Sequence, residues 1–96
     1  MSDWKSFPLY GRLVECLPAY VTETRDLNVK KLHQALQMSH EGVYKWLRSG
    51  RLTPENAEAI VELATSDQAN RAALKAAGRR PPKFEDFTLF FRRRAA

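Results

Sequence analysis

The stretch that decides the fold is residues 28–50, which read NVKKLHQALQMSHEGVYKWLRSG. Its large apolar residues are Leu32, Leu36, Val43, Trp46 and Leu47. Within each half of the stretch they recur at the three- and four-residue intervals that place side chains on one face of a helix. The spacing predicts two short amphipathic helices joined by a tight turn.

Polar residues at the ends of these two helices agree with the apolar spacing. Asn28 and Ser39 are suited to helix N-caps, because their side chains accept a hydrogen bond from a backbone N–H of the first turn. Gly50 is suited to the left-handed position that ends a helix. We expect helices over residues 29–36 and 40–48.

Three further helices are expected around this pair. The apolar spacing from Leu9 onward predicts a first helix that ends or kinks near Pro18, because proline lacks a backbone donor. Thr53 followed by Pro54 predicts the start of a fourth helix, since the hydroxyl caps it and proline suits its first position. Residues 68–77 are rich in alanine and predict a fifth. The fold class is therefore mainly α, a small domain of four or five helices.

The remaining segments are less regular. Residues 1–7 show no period and are interpreted as an extended arm or a poorly ordered start, and residues 22–26 as a polar loop. Residues 79–83 read RRPPK, a basic hinge that cannot be regular helix. We divide the chain into a helical domain over residues 1–78 and a basic, Phe-rich C-terminal extension over residues 79–96.

The extension contains FEDFTLFF at residues 84–91, and its spacing fits either a helix or a strand. Either form exposes more apolar surface than a small domain normally leaves in water, which indicates self-association or docking back onto the core. The candidate dimerisation residues are Phe84, Phe87, Leu89, Phe90 and Phe91.

Length and composition limit the functional classes. Ninety-six residues make one modest domain, and the single cysteine, Cys16, excludes an internal disulfide. We found no glycine-rich phosphate loop, carboxylate pair or nucleophile beside a base, so we expect no enzyme and no cofactor. His33 and His40 lack metal-ligand spacing, and no metal site is expected. Without a signal-like or membrane-spanning apolar run, a soluble cytoplasmic protein is expected.

Charge is unevenly distributed along the chain. The net charge is +5 overall, but residues 30–51 and 79–96 each carry +4, while residues 1–29 and 52–78 carry −1 and −2. Blocks of this kind favour a polyanionic partner, because each cation that neutralises a phosphate releases counterions. The last block, which includes Arg92–Arg94, is equally compatible with a solvated end and with a phosphate clamp.

Four apolar residues fit the twenty-residue helix-turn-helix pattern in one register that starts at Val29. Leu32 and Leu36 take its fourth and eighth places, and Val43 and Trp46 its fifteenth and eighteenth. Over about residues 28–64 the chain resembles the repressor and Cro proteins of temperate bacteriophages and small bacterial regulators built like them.

Two positions depart from the family pattern. His33 stands at the fifth place, usually alanine because the two helices approach closely there. Gln37 stands at the ninth, usually a glycine with positive φ. The departures predict a slightly opened angle between the helices or a turn of different geometry.

The resemblance implies a repressor-like transcriptional regulator, in a bacterial or phage-infected cell, that binds double-stranded DNA as a homodimer at an approximately two-fold operator. The helix over residues 40–48 would lie in the major groove. By position in the motif, the base-reading residues are Ser39, His40, Glu41, Tyr44 and Lys45. The residues placed for phosphates are Lys30, Lys31, Arg48 and Arg51.

The chemistry of these side chains suits the roles that the resemblance implies. Glu41 can accept from a cytosine amino group, Lys45 can donate to guanine O6 and N7, and Tyr44 can contact a thymine methyl or a phosphate. The alternative is a protein-interaction module of the same helical fold, antitoxin-like or an antirepressor, whose Phe-rich tail binds another protein. The salt dependence of binding distinguishes the two functions, because DNA binding weakens steeply with ionic strength and an apolar protein contact does not.

Overall fold

The computed structural model describes residues 4–91, which form helices and connecting turns. The α-helices are α1 (Pro8–Cys16), α2 (Val29–Leu36), α3 (His40–Ser49), α4 (Pro54–Ser66) and α5 (Gln68–Ala76). The 3-10 helices are η1 (Trp4–Ser6), η2 (Pro18–Tyr20) and η3 (Phe84–Phe90). Within the described residues, β pairing is limited to two isolated bridges, Val21 with Leu27 and Leu52 with Phe91. The prediction of a mainly α fold is confirmed.

The helices begin at the capping residues that the sequence indicated. Asn28 Oδ1 accepts a hydrogen bond from the backbone N–H of Lys31 at 3.1 Å. Ser39 Oγ accepts from Gly42 N at 3.2 Å, and Thr53 Oγ1 accepts from Asn56 N at 3.2 Å. Each bond satisfies a backbone donor that the first turn of a helix leaves without an internal partner.

Helix α1 ends at Cys16, and Pro18 opens η2. The carbonyl of Cys16 accepts a hydrogen bond from Nδ2 of Asn70, which is fully buried. The same amide donates to Ala64 O and accepts from Ala19 N through Oδ1. Asn70 therefore ties α5 to α4, to the end of α1 and to η2, and its own polar atoms are satisfied.

One apolar core runs through the molecule. It contains Leu9, Leu13 and Leu17 from the first segment, Leu32 from α2, Val43 and Leu47 from α3, Leu52, Ile60 from α4, and Phe87 and Phe90 from η3. Cys16 belongs to it, and burial raises the pKa of its thiol to about 11, so the group is neutral near pH 7. None of the helices in residues 4–91 is long and apolar enough to span a lipid bilayer.

The structure answers the question that the C-terminal extension left open. Residues 84–90 form a 3-10 helix, which is the helical alternative in its tighter form, and the segment docks on its own chain. Phe87 is 0% and Phe90 4% exposed, and Leu52 N donates to Phe90 O at 2.8 Å. The boundary predicted at residue 78 is therefore not a boundary of the core, because the extension supplies part of it.

Of the five candidate dimerisation residues, Phe87 and Phe90 are buried in the core of their own chain, which corresponds to the alternative of docking back onto the core. Phe91 is half-buried, with its ring centroid 5.4 Å from that of Phe84. Phe84 and Leu89 are 39% and 64% exposed. The prediction remains for the exposed side chains. Arg92–Arg94 lie outside the described residues.

The start of the chain also differs from the expectation of an extended arm. Trp4–Ser6 form η1, and the Trp4 ring packs edge-on against Tyr10 of α1, with centroids 5.5 Å apart. Residues 1–3 lie outside the described part of the chain. A helical period is not visible here because the 3-10 helix is only three residues long and Trp4 also contacts Tyr44, far along the chain.

Replacing Phe87 by Ala is expected to lower the free energy of unfolding by about 3–5 kcal/mol, because the ring is fully buried and leaves a cavity. Urea denaturation followed by circular dichroism measures the change. The control is Phe84→Ala on the exposed side of the same 3-10 helix, for which a change below about 1 kcal/mol is expected. Equal losses in the two variants would contradict the docked position of the extension.

Candidate nucleic-acid interface

The turn between α2 and α3 is closed by backbone hydrogen bonds. Gln37 has φ 57° and ψ 40°, the left-handed conformation. Its N–H donates to Gln34 O at 3.2 Å, and the N–H of Met38 donates to His33 O at 3.1 Å. This pair of bonds is the Schellman arrangement that commonly ends a helix at a glycine. Gln37 thus adopts the positive φ that the family pattern places there, without being glycine.

His33 strengthens the same turn. Its Nδ1 lies 2.9 Å from the carbonyl oxygen of Met38, and the carbonyl can only accept, so Nδ1 carries the hydrogen. His33 and Met38 are then joined by two hydrogen bonds, one through each backbone carbonyl. A histidine at the place usually held by alanine therefore has a structural use, and sequence spacing did not indicate it.

Helix α3 has one side in the core and the other in solvent. Val43 and Leu47 are fully buried and Trp46 is 5% exposed, so the indole is a core group. Glu41, Lys45 and Arg48 are exposed and follow at intervals of four and three residues, which places them in one stripe on the outward side. The buried and exposed residues of this helix agree with the expected inward and outward sets except at Tyr44, which was expected to face outward and is half-buried.

The outward stripe is cationic at its centre. Within residues 4–91, the ion pair present joins Lys5 and Asp26, with Nζ and Oδ1 3.3 Å apart. Lys45 and Glu41 are therefore not paired, although they are four residues apart on one helix. Lys30 in the first turn of α2 and Arg51 after α3 are also exposed. These cations remain available to an external anion.

Lys31, one of the four residues predicted to contact phosphate, is held within its own chain. Its ammonium donates to the carbonyl of Ala19 at 2.8 Å and lies 4.9 Å from the centre of the Tyr20 ring. Both contacts lie on η2, so the side chain extends from α2 toward that element. Lys31 is exposed like Lys30, Arg48 and Arg51, and it is the one of these four whose cationic group also bonds a backbone carbonyl within residues 4–91.

Tyr44 lies at one edge of the outward stripe and is half-buried. The His40 ring meets it edge-on at 6.1 Å, and the Arg48 guanidinium lies 5.3 Å from its centre. The Trp4 ring meets it from η1 at 6.0 Å, with the ring planes at 81°. Three groups therefore surround a residue that was predicted to face the bases. Trp4 was not among the predicted site residues, because an isolated aromatic near the start of a chain carries no periodic signal.

Two small residues complete the start of α3. The Ser39 hydroxyl accepts the capping hydrogen bond with one lone pair, and its O–H and second lone pair remain. The absence of a side chain at Gly42 makes room for another part of the chain rather than leaving open space. A Cβ at this position would lie 2.8 Å from the terminal methyl of Met38. Glycine at this position therefore leaves the space that the Met38 side chain occupies.

The carboxylate of Asp26 holds the loop over residues 22–26 in place. Asp26 accepts hydrogen bonds from Lys5 and from the Tyr10 hydroxyl, each at 3.3 Å, and from Thr24 at 3.1 Å. Hydrogen bonds from Lys5 and then Thr24 hold the pKa of Asp26 below its usual value. Since Lys5 follows Trp4, the network fixes the segment that packs beside Tyr44.

Comparisons with protein-family models, with curated proteins and with solved structures found no match for this chain.

Replacing Gln37 by Gly is expected to raise the free energy of unfolding by about 0.5–1 kcal/mol, because glycine adopts the left-handed conformation without a steric cost. The control is Gln34→Gly, three residues earlier and inside α2, where about 0.5–1 kcal/mol should be lost. Thermal and urea unfolding measure both. A loss of stability in the Gln37 variant would contradict the left-handed turn.

Proposed function

We propose that this protein is a sequence-specific DNA-binding regulator that inserts α3 into the major groove and represses transcription from an approximately two-fold operator. The observation that carries the proposal is the outward face of α3, where Lys45 and Arg48 are exposed on a helix whose other side is buried. The helix is held by a short turn against α2, as a helix-turn-helix unit requires.

Geometry and charge support this use of α3. The major groove is about 12 Å wide and admits one α-helix with its side chains. The first turn of α3 presents His40 and Glu41, both exposed, and the second presents Lys45. Lys30 and Arg51 flank the helix along the chain and are exposed, as phosphate-contacting side chains need to be. In this proposal Lys45 and Glu41 select bases, and the flanking cations position the protein.

The exposed apolar side chains favour association with a second polypeptide. Leu89 is 64% exposed, and it shares a shallow depression with Phe7 and Arg51 beside the C-terminal end of α3. In the regulator that we propose, this surface joins two copies. The second candidate function is the protein-interaction module, in which the same surface receives a different protein and α3 carries no nucleic acid.

Selection of bound sites from random double-stranded DNA tests the proposal directly. The purified protein is used at near-physiological salt, and recovered sequences should share an approximately two-fold consensus. Affinity for the consensus should fall steeply with added salt, with a slope set by the number of phosphate contacts. Recovery of unrelated sequences with little salt dependence would reject the proposal and favour the interaction module.

Lys45→Ala is expected to weaken binding to the selected site by about 1–3 kcal/mol and to relax the preference at one base pair, as loss of a bidentate contact to guanine does. Lys30→Ala should weaken binding to all DNA sequences about equally. It should also reduce the slope of log affinity against log salt concentration by roughly one. Fluorescence anisotropy with matched and altered sites measures both.

Lys75→Ala on α5 serves as the charge-matched control for Lys45→Ala. Lys75 is exposed, and α5 packs against α4 and η2. Its removal should leave site preference unchanged. Unaltered affinity and preference in the Lys45 variant would place the base-reading surface elsewhere.

Leu89→Asp is expected to prevent formation of the dimer, because it places a charge in the apolar contact between copies. Sedimentation velocity measures the oligomeric state, and Ala72→Asp, at an exposed position of α5, controls for the added charge. The Leu89→Asp variant should remain folded, since Leu89 is the most exposed large apolar residue in the described part of the extension. A dimer that persists in this variant would exclude Leu89 from the interface.

A further inference from the structure

A line of ring contacts runs along one edge of α3. It starts at Tyr10 of α1, passes through Trp4 of η1 to Tyr44, and continues to His40 and then to His33 of α2. The ring centroids are 5.5 Å apart for Tyr10 and Trp4, and 6.0 Å for Trp4 and Tyr44. The next two steps are 6.1 Å and 5.9 Å. The first three contacts are edge-on and the last is tilted at 56°, and edge-on packing at these separations is favourable for aromatic rings.

Trp4 is the member of this line that joins Tyr10 of α1 to Tyr44 of α3, and its neighbours on the other side are held by hydrogen bonds. Its neighbour Tyr10 is buried, and the Tyr10 hydroxyl accepts a hydrogen bond from Leu27 N at 3.0 Å. The adjacent Lys5 is paired with Asp26 at 3.3 Å. Trp4 therefore lies between the buried ring of Tyr10 and the ring of Tyr44.

Tyr44 is in turn joined to the cationic stripe. The Arg48 guanidinium lies over its ring, at a distance suited to cation–π attraction. Without Trp4, the Tyr44 side chain would lose the partner that restricts it on the side of η1. The hydroxyl of Tyr44 and the guanidinium of Arg48 would then both sample more positions.

We propose that Trp4 is a positioning residue for DNA recognition, which acts by holding Tyr44, and through it Arg48, in the orientation that meets the DNA. The inference rests on the proposed function of α3 and adds η1 to the binding surface. It requires that Trp4 influence the DNA through Tyr44, so its effect must vanish when Tyr44 is absent.

The experiment is a double-mutant cycle of Trp4→Ala and Tyr44→Ala, with affinity measured for the selected DNA site and for unrelated DNA. Trp4→Ala should weaken binding to the selected site about two- to tenfold, the range expected for loss of one aromatic pair, and leave unrelated DNA less affected. In the Tyr44→Ala background, Trp4→Ala should cause no further loss.

Three comparisons separate positioning from general destabilisation. Trp4→Phe retains a ring and should bind within about twofold of the natural protein. Val14→Ala removes packing from α1 beside Pro18 and Val21, away from α3, and should leave affinity unchanged. The Tyr44 ring-proton resonances in NMR spectra should shift in Trp4→Ala even without DNA, because the indole no longer lies beside them. If Trp4→Ala does not fold, Trp4→Leu replaces it in the cycle.

Each outcome decides the inference. Unchanged affinity in Trp4→Ala, or the same loss in the Tyr44→Ala background, would overturn it. An equal loss in Val14→Ala would assign the effect to stability instead. If the natural protein selects no DNA site, the proposed function fails and the inference fails with it. If the natural protein selects a site and Trp4→Ala binds it normally, the inference alone fails.

Discussion

The turn at Gln37 determines how the two central helices lie. One residue in the left-handed conformation reverses the chain, and the hydrogen bonds between His33 and Met38 close the reversal on both sides. Because the turn is short and closed by these hydrogen bonds, it restricts the orientation of α3 relative to α2. The apolar side of α3 then meets the core, and Lys45 is left facing solvent as a consequence.

The core that receives α3 is assembled from both ends of the chain. Phe87 and Phe90 arrive from the C-terminal extension, and Leu9 and Leu13 from α1. A chain of 96 residues forms only a modest core, and the two buried phenylalanines of the extension each add a large apolar side chain to it. The N-terminal segment uses its aromatic residues differently, because Trp4 packs at the edge of α3 and Phe7 beside Gly50. The two termini thereby support the helix on which the candidate interface is built.

The exposed charges differ in sign between α3 and α4. Lys45, Arg48 and Arg51 are exposed on or just after α3, whereas Glu55, Glu58 and Glu62 are exposed on α4. An approaching polyanion would be attracted to α3 and repelled by the acidic side of α4, which favours one orientation of the encounter. Lys31, also exposed, differs from the other cations because its ammonium is bonded to Ala19 O and lies over the Tyr20 ring.

The sequence by itself determined the elements that depend on neighbouring residues. The caps at Asn28, Ser39 and Thr53, the stop at Gly50 and the apolar spacing of α2 and α3 are each satisfied within a few residues along the chain, so their signals can be found by counting. The apolar spacing of α3 also shows which side of the helix faces the core. The exposure of Glu41 and Lys45, on the opposite side, could therefore be predicted.

Only the tertiary structure decided which distant groups meet. The contact of Trp4 with Tyr44, the bond of Lys31 to Ala19 and the burial of Phe87 join residues separated by many positions, with no fixed interval to reveal them. The extension illustrates the reason most directly. Its spacing fitted a helix and a strand alike, and it became a 3-10 helix because packing two phenylalanines into the shared core outweighs the weak local preference of seven residues.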